Sequence, residues 1–314
     1  MSKKIAFLFP GQGSQFVGMG QDLADQYPAA RDVFEKADDI CEKPISKLCF
    51  HGPLDELTLT ENLQPAITAV SLACLAVLNE SSIKPTFSAG HSLGEYSALV
   101  SAGVISVYHA LRLVRKRGEL MHREALANPG AMAALMGMDM DTVREIVALA
   151  GGKEPLAVAN HNTAKQIVIT GGKSPISRAI QLVKERKGRA IPLKVSGAWH
   201  SELMAGALEE FREFMESIPF SEAGSTVLFN ATAKEETGAE NIKDIMVRQL
   251  VHPVKWYDII LKMLHDGVNT FVEVGPKRVL SDMVKKIVPS DGHVNIHSVQ
   301  DLQTFEATLT GINA

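Results

Sequence analysis

Hydrophobic positions along the chain switch between runs and helical stripes. Ile5-Ala-Phe-Leu-Phe9 is an apolar run closed by Pro10-Gly11, which predicts a buried strand entering a tight loop. Residues 66–80 are apolar almost throughout and predict a buried helix, 86–90 a short strand, and 93–102 a second helix. Over 107–125, Val107, Leu111, Val114 and Met121 share one stripe, with Gly118 and Ala125 small enough for close packing. Asn128-Pro129-Gly130 ends that helix.

The texture then changes to two rounds of strand, helix and strand, at 131–136, 140–150 and 156–159, then 166–170, 174–187 and 190–195. This split βαβ pattern predicts a small inserted domain. Beyond His200, a helix (201–217), a strand (226–230), helices at 242–251 and 256–265, a strand (270–274), a helix (279–287) and a strand (294–299) resume alternation. The expected architecture is a mostly parallel α/β domain, flanked by helices, formed by residues 1–128 and 198–314 around a smaller α+β domain at 129–197.

Composition narrows the class. The 314 residues are 46% apolar and 22% charged, values of a folded globular chain rather than a disordered or fibrous one. With 36 acidic and 32 basic residues the net charge is −4, which implies no large basic face for nucleic acid. Three cysteines, Cys41, Cys49 and Cys74, without a CxxC pair suggest neither a disulfide framework nor a cysteine-ligated metal, and fit a reducing cytoplasm. The first apolar run is too short for a signal peptide's core, and residues 66–78 are too few to span a bilayer, so neither export nor membrane insertion is expected.

Candidate chemistry centres on Gly90-His-Ser92-Leu-Gly94, a G-x-S-x-G at a strand-to-helix junction. There a sharp turn exposes the serine hydroxyl above the sheet, and the helix N-terminus supplies N–H groups near the reacting oxygen. The bland alternative is a glycine-rich turn with a capping serine. A serine nucleophile needs a base, and ten histidines compete. His200 follows the last strand of the small domain and is placed to return over the main sheet. His91 adjoins the serine but reads as a packing residue, and His293 and His297 are spaced for a helix where a strand is expected. No Asp or Glu stands out as the base's orienting partner.

Gly11-Gln-Gly-Ser-Gln15 resembles a dinucleotide loop but has Phe16 at the third glycine and lacks the acidic ribose contact. A loop that lends one backbone N–H to an oxyanion fits better, with a plain glycine turn as the alternative. In Arg112-Leu-Val-Arg-Lys-Arg117, helical angles turn Arg112 and Lys116 outward and put Arg115 and Arg117 on the flanks of the apolar stripe. Either flanking guanidinium can clamp a carboxylate, and angle alone does not choose between them.

Together these pieces resemble the malonyl-CoA:acyl carrier protein transacylases and the related acyltransferase domains of fatty acid and polyketide synthases. The likeness runs in order through Phe9-Pro-Gly-Gln-Gly-Ser-Gln15, Gly90-His-Ser-Leu-Gly-Glu-Tyr96, Arg115-Lys-Arg-Gly118 with Met121, Ala159-Asn160, Gly197-Ala-Trp-His200, Gln249 with Pro253-Val254, and Val274-Gly-Pro276. It implies a hydrolase-like large domain with a ferredoxin-like insertion. It also implies Ser92 as nucleophile, His200 as its base, Arg117 as the malonyl carboxylate clamp, and the Gln12 and Leu93 N–H groups as oxyanion donors. In such enzymes a backbone carbonyl near the glutamine orients the histidine, which gives Gln249 a supporting role. The implied substrates are malonyl-CoA and acyl carrier protein. No cofactor, metal, nucleic-acid or membrane partner is implied, and the expected state is a cytoplasmic monomer.

Two positions depart from the family. Trp199 replaces a usual phenylalanine at the acyl pocket, which still argues for a small acyl group, and His161 replaces a usual tyrosine in the small domain. Lys184, Arg186, Lys187 and Arg189, or Lys277, Arg278, Lys285 and Lys286, are candidate docking cations for an acidic carrier. The alternatives are a polyketide acyltransferase or an acyl hydrolase on the same fold, a lipase-like esterase, or a carrier-binding module without activity.

Overall fold

A computed structural model describes residues 3–81, 83–290 and 292–313. Among these residues the strands are β1 (Ile5–Phe9), β2 (Phe87–Gly90), β3 (Gly130–Met136), β4 (Leu156–Thr163), β5 (Gln166–Gly172), β6 (Arg189–Pro192), β7 (Thr226–Val227), β8 (Thr270–Val274) and β9 (Asn295–Val299). The helices before the small sheet are α1 (Gln21–Gln26), α2 (Pro28–Cys41), α3 (Ile45–His51), α4 (Leu54–Thr58), α5 (Thr60–Asn79), α6 (Gly94–Ser101) and α7 (Val107–Ala127). Those within and after it are α8 (Met140–Gly151), α9 (Lys173–Glu185), α10 (Leu208–Glu216), α11 (Ala239–Arg248), α12 (Trp256–His265), α13 (Val279–Ile287) and α14 (Leu302–Asn313).

The main sheet has the order β7-β2-β1-β8-β9, and its pairs are parallel. β1 lies at its centre, with Leu8 opposite Ala89 on one side and Glu273 on the other. Both faces of β1 are covered, which is why its five residues are all apolar. Ile5, Phe7 and Phe9 join the core built with α2, α5 and α7, while Ala6 and Leu8 point to the opposite core under α12 and α13.

The second sheet is antiparallel, in the order β4-β5-β3-β6. Its alternation serves two cores. Ala133, Leu135, Ile167 and Ile169 pack under α8 and α9, whereas Met132, Ala134 and Val168 face the main body.

Several elements differ from the pattern reading. The helix expected at 66–80 begins at Thr60 and carries Pro65 in its second turn. Its polar start misled because Asn62 and Gln64 are buried and paired, with the Glu56 carbonyl and Arg117 respectively. At 20 residues this helix is long and apolar enough to cross a membrane, contrary to the shorter estimate, and it is almost wholly buried by protein. The single helix expected over 201–217 is a 3-10 turn, Glu202–Ala207, followed by α10. At the break Gly206 lies against the Glu124 carboxylate, where a Cβ would sit 2.4 Å from Oε2.

The strand expected at 226–230 shortens to β7 because Asn230 turns away to bond the Ser92 region. β6 ends at Pro192, short of the expected 195, although the Leu193 N–H still donates to the Met132 carbonyl at 2.9 Å. β4 runs on to Thr163 through irregular register at its polar residues, and α14 had no counterpart in the pattern.

Candidate active site

Ser92 sits just past the carboxyl end of β2 with φ 50°, a left-handed backbone held by its surroundings. The flanking glycines allow the turn. A Cβ on Gly90 would lie 1.8 Å from the Gly94 carbonyl carbon, and one on Gly94 would lie 2.0 Å from the Phe9 carbonyl oxygen. Strand β1, the turn and α6 therefore meet at backbone contact distance. Asn230 fastens the turn from outside, accepting from the Ser92 N–H at 2.6 Å and donating to the Gly90 carbonyl at 2.7 Å.

His200 Nε2 lies 2.7 Å from Ser92 Oγ. The other ring nitrogen, Nδ1, lies 2.9 Å from the Gln249 carbonyl and 3.0 Å from that of His252. Two carbonyl acceptors require a proton on Nδ1, which leaves Nε2 to accept from the serine. The orienting group is thus main chain, and this accounts for the lack of a sequence-visible acid. Burial first, and the nearby Arg117 charge second, lower the His200 pKa to about 3, so the ring is a neutral base across the working range.

Arg117 is fully buried on α7. Its Nη1 donates to Gln64 Oε1 at 2.8 Å, and its Nη2 to Gln249 Oε1 at 2.9 Å and to Ser92 Oγ at 3.2 Å. Nε has no acceptor. Arg115 lies at the surface and pairs with Glu119, so the ambiguity between the two flanking arginines resolves to Arg117. Burial pulls the Arg117 pKa down from its ordinary value, yet a guanidinium stays charged in proteins.

The Leu93 N–H opens α6, and Gln12 lines the same cavity as Ser92. Among the described residues neither backbone N–H has an acceptor, as two groups awaiting an oxyanion would require. The cavity, about 300 Å³, is roofed by the open face of the small sheet through Met132, Ala134, Asn160 and Val168, and Trp199 and His200 complete it. A larger groove of about 860 Å³ shares Gln12, Leu193, Val195 and Trp199 with it.

Ser92, His200, Arg117, Gln12, Leu93 and Gln249 thus converge at one end of the main sheet. His91 packs on Trp256 as expected, but it also lines the cavity and bonds Asn162 Oδ1 at 2.9 Å, a role the sequence reading did not assign. His161 stacks on Tyr257 away from the cavity. Gln64, Asn230 and Glu95 were missed. Only Glu95 had a signal, its place three residues after the serine.

The family model for the acyl transferase domain matches residues 6–307. A malonyl CoA-acyl carrier protein transacylase of Bacillus subtilis is 44% identical, the match covering 98% of this chain and 96% of the relative. The crystal structure of an acyl carrier protein S-malonyltransferase from Vibrio cholerae superposes with a TM-score of 0.92 at 37% identity, over 98% of this chain and 100% of that one. A malonyl-transacylase solved in complex with its type II PKS acyl-carrier protein gives 0.94 at 36% identity, over 98% and 100% of the two chains. With a matching model over nearly its whole length and relatives at this identity, the chain belongs to the acyl transferase domain family.

Proposed function

We propose that the chain transfers the malonyl group of malonyl-CoA to the phosphopantetheine thiol of acyl carrier protein, supplying fatty acid synthesis, through a malonyl ester on Ser92. The observation that carries the reading is a buried, charged Arg117 within 3.2 Å of Ser92 Oγ. A site for simple acyl groups has no use for a carboxylate clamp there. An acetyl group would leave the guanidinium short of its partner, a loss of roughly 1–3 kcal/mol. The relatives' substrates and the solved carrier complex agree with this. Residues 1–128 and 198–314 then form the large domain and 129–197 the small one.

In the first half-reaction Ser92 Oγ attacks the thioester carbonyl as its proton passes to His200 Nε2. The Gln12 and Leu93 N–H groups hold the oxyanion. Collapse breaks the carbon–sulfur bond, and the CoA sulfur leaves with the proton from His200. In the second half-reaction the carrier thiol gives its proton to His200 and attacks the ester, and Ser92 Oγ recovers that proton as it departs. CoA is a substrate throughout, and no step calls for a bound cofactor.

Intact mass after brief exposure to malonyl-CoA, then again after adding pantetheinylated carrier, tests the scheme. A malonyl adduct absent from Ser92→Ala and discharged onto carrier is the expected result. An adduct that decays to free malonate with the carrier untouched would indicate a hydrolase instead.

A further inference from the structure

Glu95 lies on α6 one turn past Ser92 and is fully buried. Its N–H donates to the Ser92 carbonyl at 3.1 Å, but its carboxyl makes no hydrogen bond to Ser92, His200 or Arg117. Each of its carboxyl oxygens receives one donor, Oε1 from the Asn230 N–H and Oε2 from Gln249 Nε2. Those two residues hold the site together. Asn230 fastens the serine turn, and the Gln249 amide sends Nε2 to the Ser92 carbonyl at 2.8 Å and Oε1 to Arg117 Nη2 at 2.9 Å.

An amide turned by 180° has nearly the same shape, so something must select one orientation. Turned over, Gln249 would aim its NH2 at a guanidinium N–H and its oxygen at both the Ser92 carbonyl and Glu95. An ionised carboxyl presents only acceptors, so Glu95 as a carboxylate takes the Asn230 N–H on one oxygen and requires an N–H from Gln249 at the other. The selected orientation turns Gln249 Oε1 to Arg117, and this bond keeps the guanidinium beside Ser92 Oγ. Burial raises the Glu95 pKa to about 8, while the Asn230 and Gln249 donors and the Arg117 charge favour the ionised form, so the amide orientation is selected most firmly at and above about pH 8. A carboxyl kept in so unfavourable a place has its hydrogen bonds as the compensating feature.

We propose that Glu95 is a positioning residue for malonyl transfer: by fixing the orientation of the Gln249 amide, it keeps Arg117 aimed at the malonyl carboxylate. This rests on the function proposed above. The residue acts through Gln249 and Arg117, so its removal alters the choice between acyl groups and not merely the rate.

Glu95→Gln has the same shape but one acceptor oxygen for two converging donors, so one bond becomes a contact between N–H groups. The experiment measures single-turnover malonyl and acetyl ester formation on Ser92 by intact mass, in the full chain, for wild type, Glu95→Gln, Glu95→Asp, Arg117→Ala and the Glu95→Gln/Arg117→Ala double variant. The malonyl-to-acetyl rate ratio falls about tenfold or more in Glu95→Gln. It takes an intermediate value in Glu95→Asp, which keeps both acceptors on a shorter stem. In the Arg117→Ala background, Glu95→Gln leaves the ratio unchanged. A folded Glu95→Gln with the wild-type ratio, an equal fall for both acyl groups, or a further fall in the Arg117→Ala background overturns the proposal. If thermal melting shows Glu95→Gln unfolded, Glu95→Asp decides, and a wild-type ratio there overturns it. A wild-type chain that forms no malonyl ester would instead refute the functional reading itself.

Discussion

His200 shows how a catalytic base is made without a carboxylate. Its Nδ1 proton is held by two main-chain carbonyls, and burial together with the Arg117 charge keeps the ring neutral far below the usual imidazole range. The base works only when neutral, so a lowered pKa extends activity toward acid. Acetyl-serine formation, which does not require the clamp, is therefore expected to stay level from about pH 8 down to about pH 4.5 in pre-steady-state assays. Arg117→Ala removes the second-largest cause of the lowering, so its acid limb moves upward from about 3 toward the ordinary 6.5 and becomes visible within that window. A limb equally absent from the variant would mean the arginine charge does not reach the ring. The sequence made Ser92 legible because its signal is local, two glycines two residues either side. Helical angle narrowed the clamp to Arg115 or Arg117 but could not register that only one of them meets Gln64. The acceptors of His200 are peptide carbonyls, which no side-chain pattern announces, so Gln249 was reachable only through resemblance.

The elements around the serine owe their arrangement to contacts too close for side chains. Because a Cβ at Gly94 would meet the Phe9 carbonyl at 2.0 Å, Gly94→Ala must push α6 away from β1. The expected cost is about 1–3 kcal/mol or more, seen as a lowered thermal midpoint together with loss of malonyl ester formation. A variant that melts normally and acylates normally would show that the junction has slack. Strong periodicity explains which elements were legible. α7, α12 and α13 matched their stripes to within two residues, as did the strands β1, β2, β8 and β9. The elements misread are those in which polar residues are consumed internally. Asn62 and Gln64 at the head of α5 fell outside the helix expected from residue 66, and Asn230 read as the end of a strand, because polar residues carry no stripe and the partners of Gln64 and Asn230, Arg117 and the Gly90 carbonyl, lie far away in sequence. The two faces of β3 behave likewise: Ala133 and Leu135 mark a core, but nothing local reveals that Met132 and Ala134 roof a cavity.

Across the whole molecule, the cavity opens between a main body and a smaller sheet, and exposed cations stand on both sides. Lys277 and Arg278 precede α13, whose Val279, Leu280 and Met283 line the cavity, and Lys277 Nζ donates to the Gly13 carbonyl beside Gln12. Lys187 and Arg189 lie at the start of β6, which leads into the Leu193–Val195 wall. A net charge of −4 thus coexists with local clusters of exposed cations, the proposed docking sites for an acidic carrier. Reversing Lys277 and Arg278, or Lys187 and Arg189, to glutamate should raise the carrier KM severalfold at low salt and leave malonyl ester formation from malonyl-CoA intact. Steady-state kinetics over a salt series check this, and an unchanged carrier KM in both variants would reject both patches. The alternation of elements made the interrupted α/β plan visible, whereas the joining of distant segments was not. Leu8 pairs with Glu273, and the acceptors for His200 come from Gln249 and His252. The ribosome makes a chain in one direction, so the serine emerges long before these partners. An unfinished polypeptide holds Ser92 next to no oriented base and beside a central strand with one edge bare. Abortive translation products are thus expected to be inert toward thioesters, with acylation of Ser92 beginning only in a chain completed past its last interior strand.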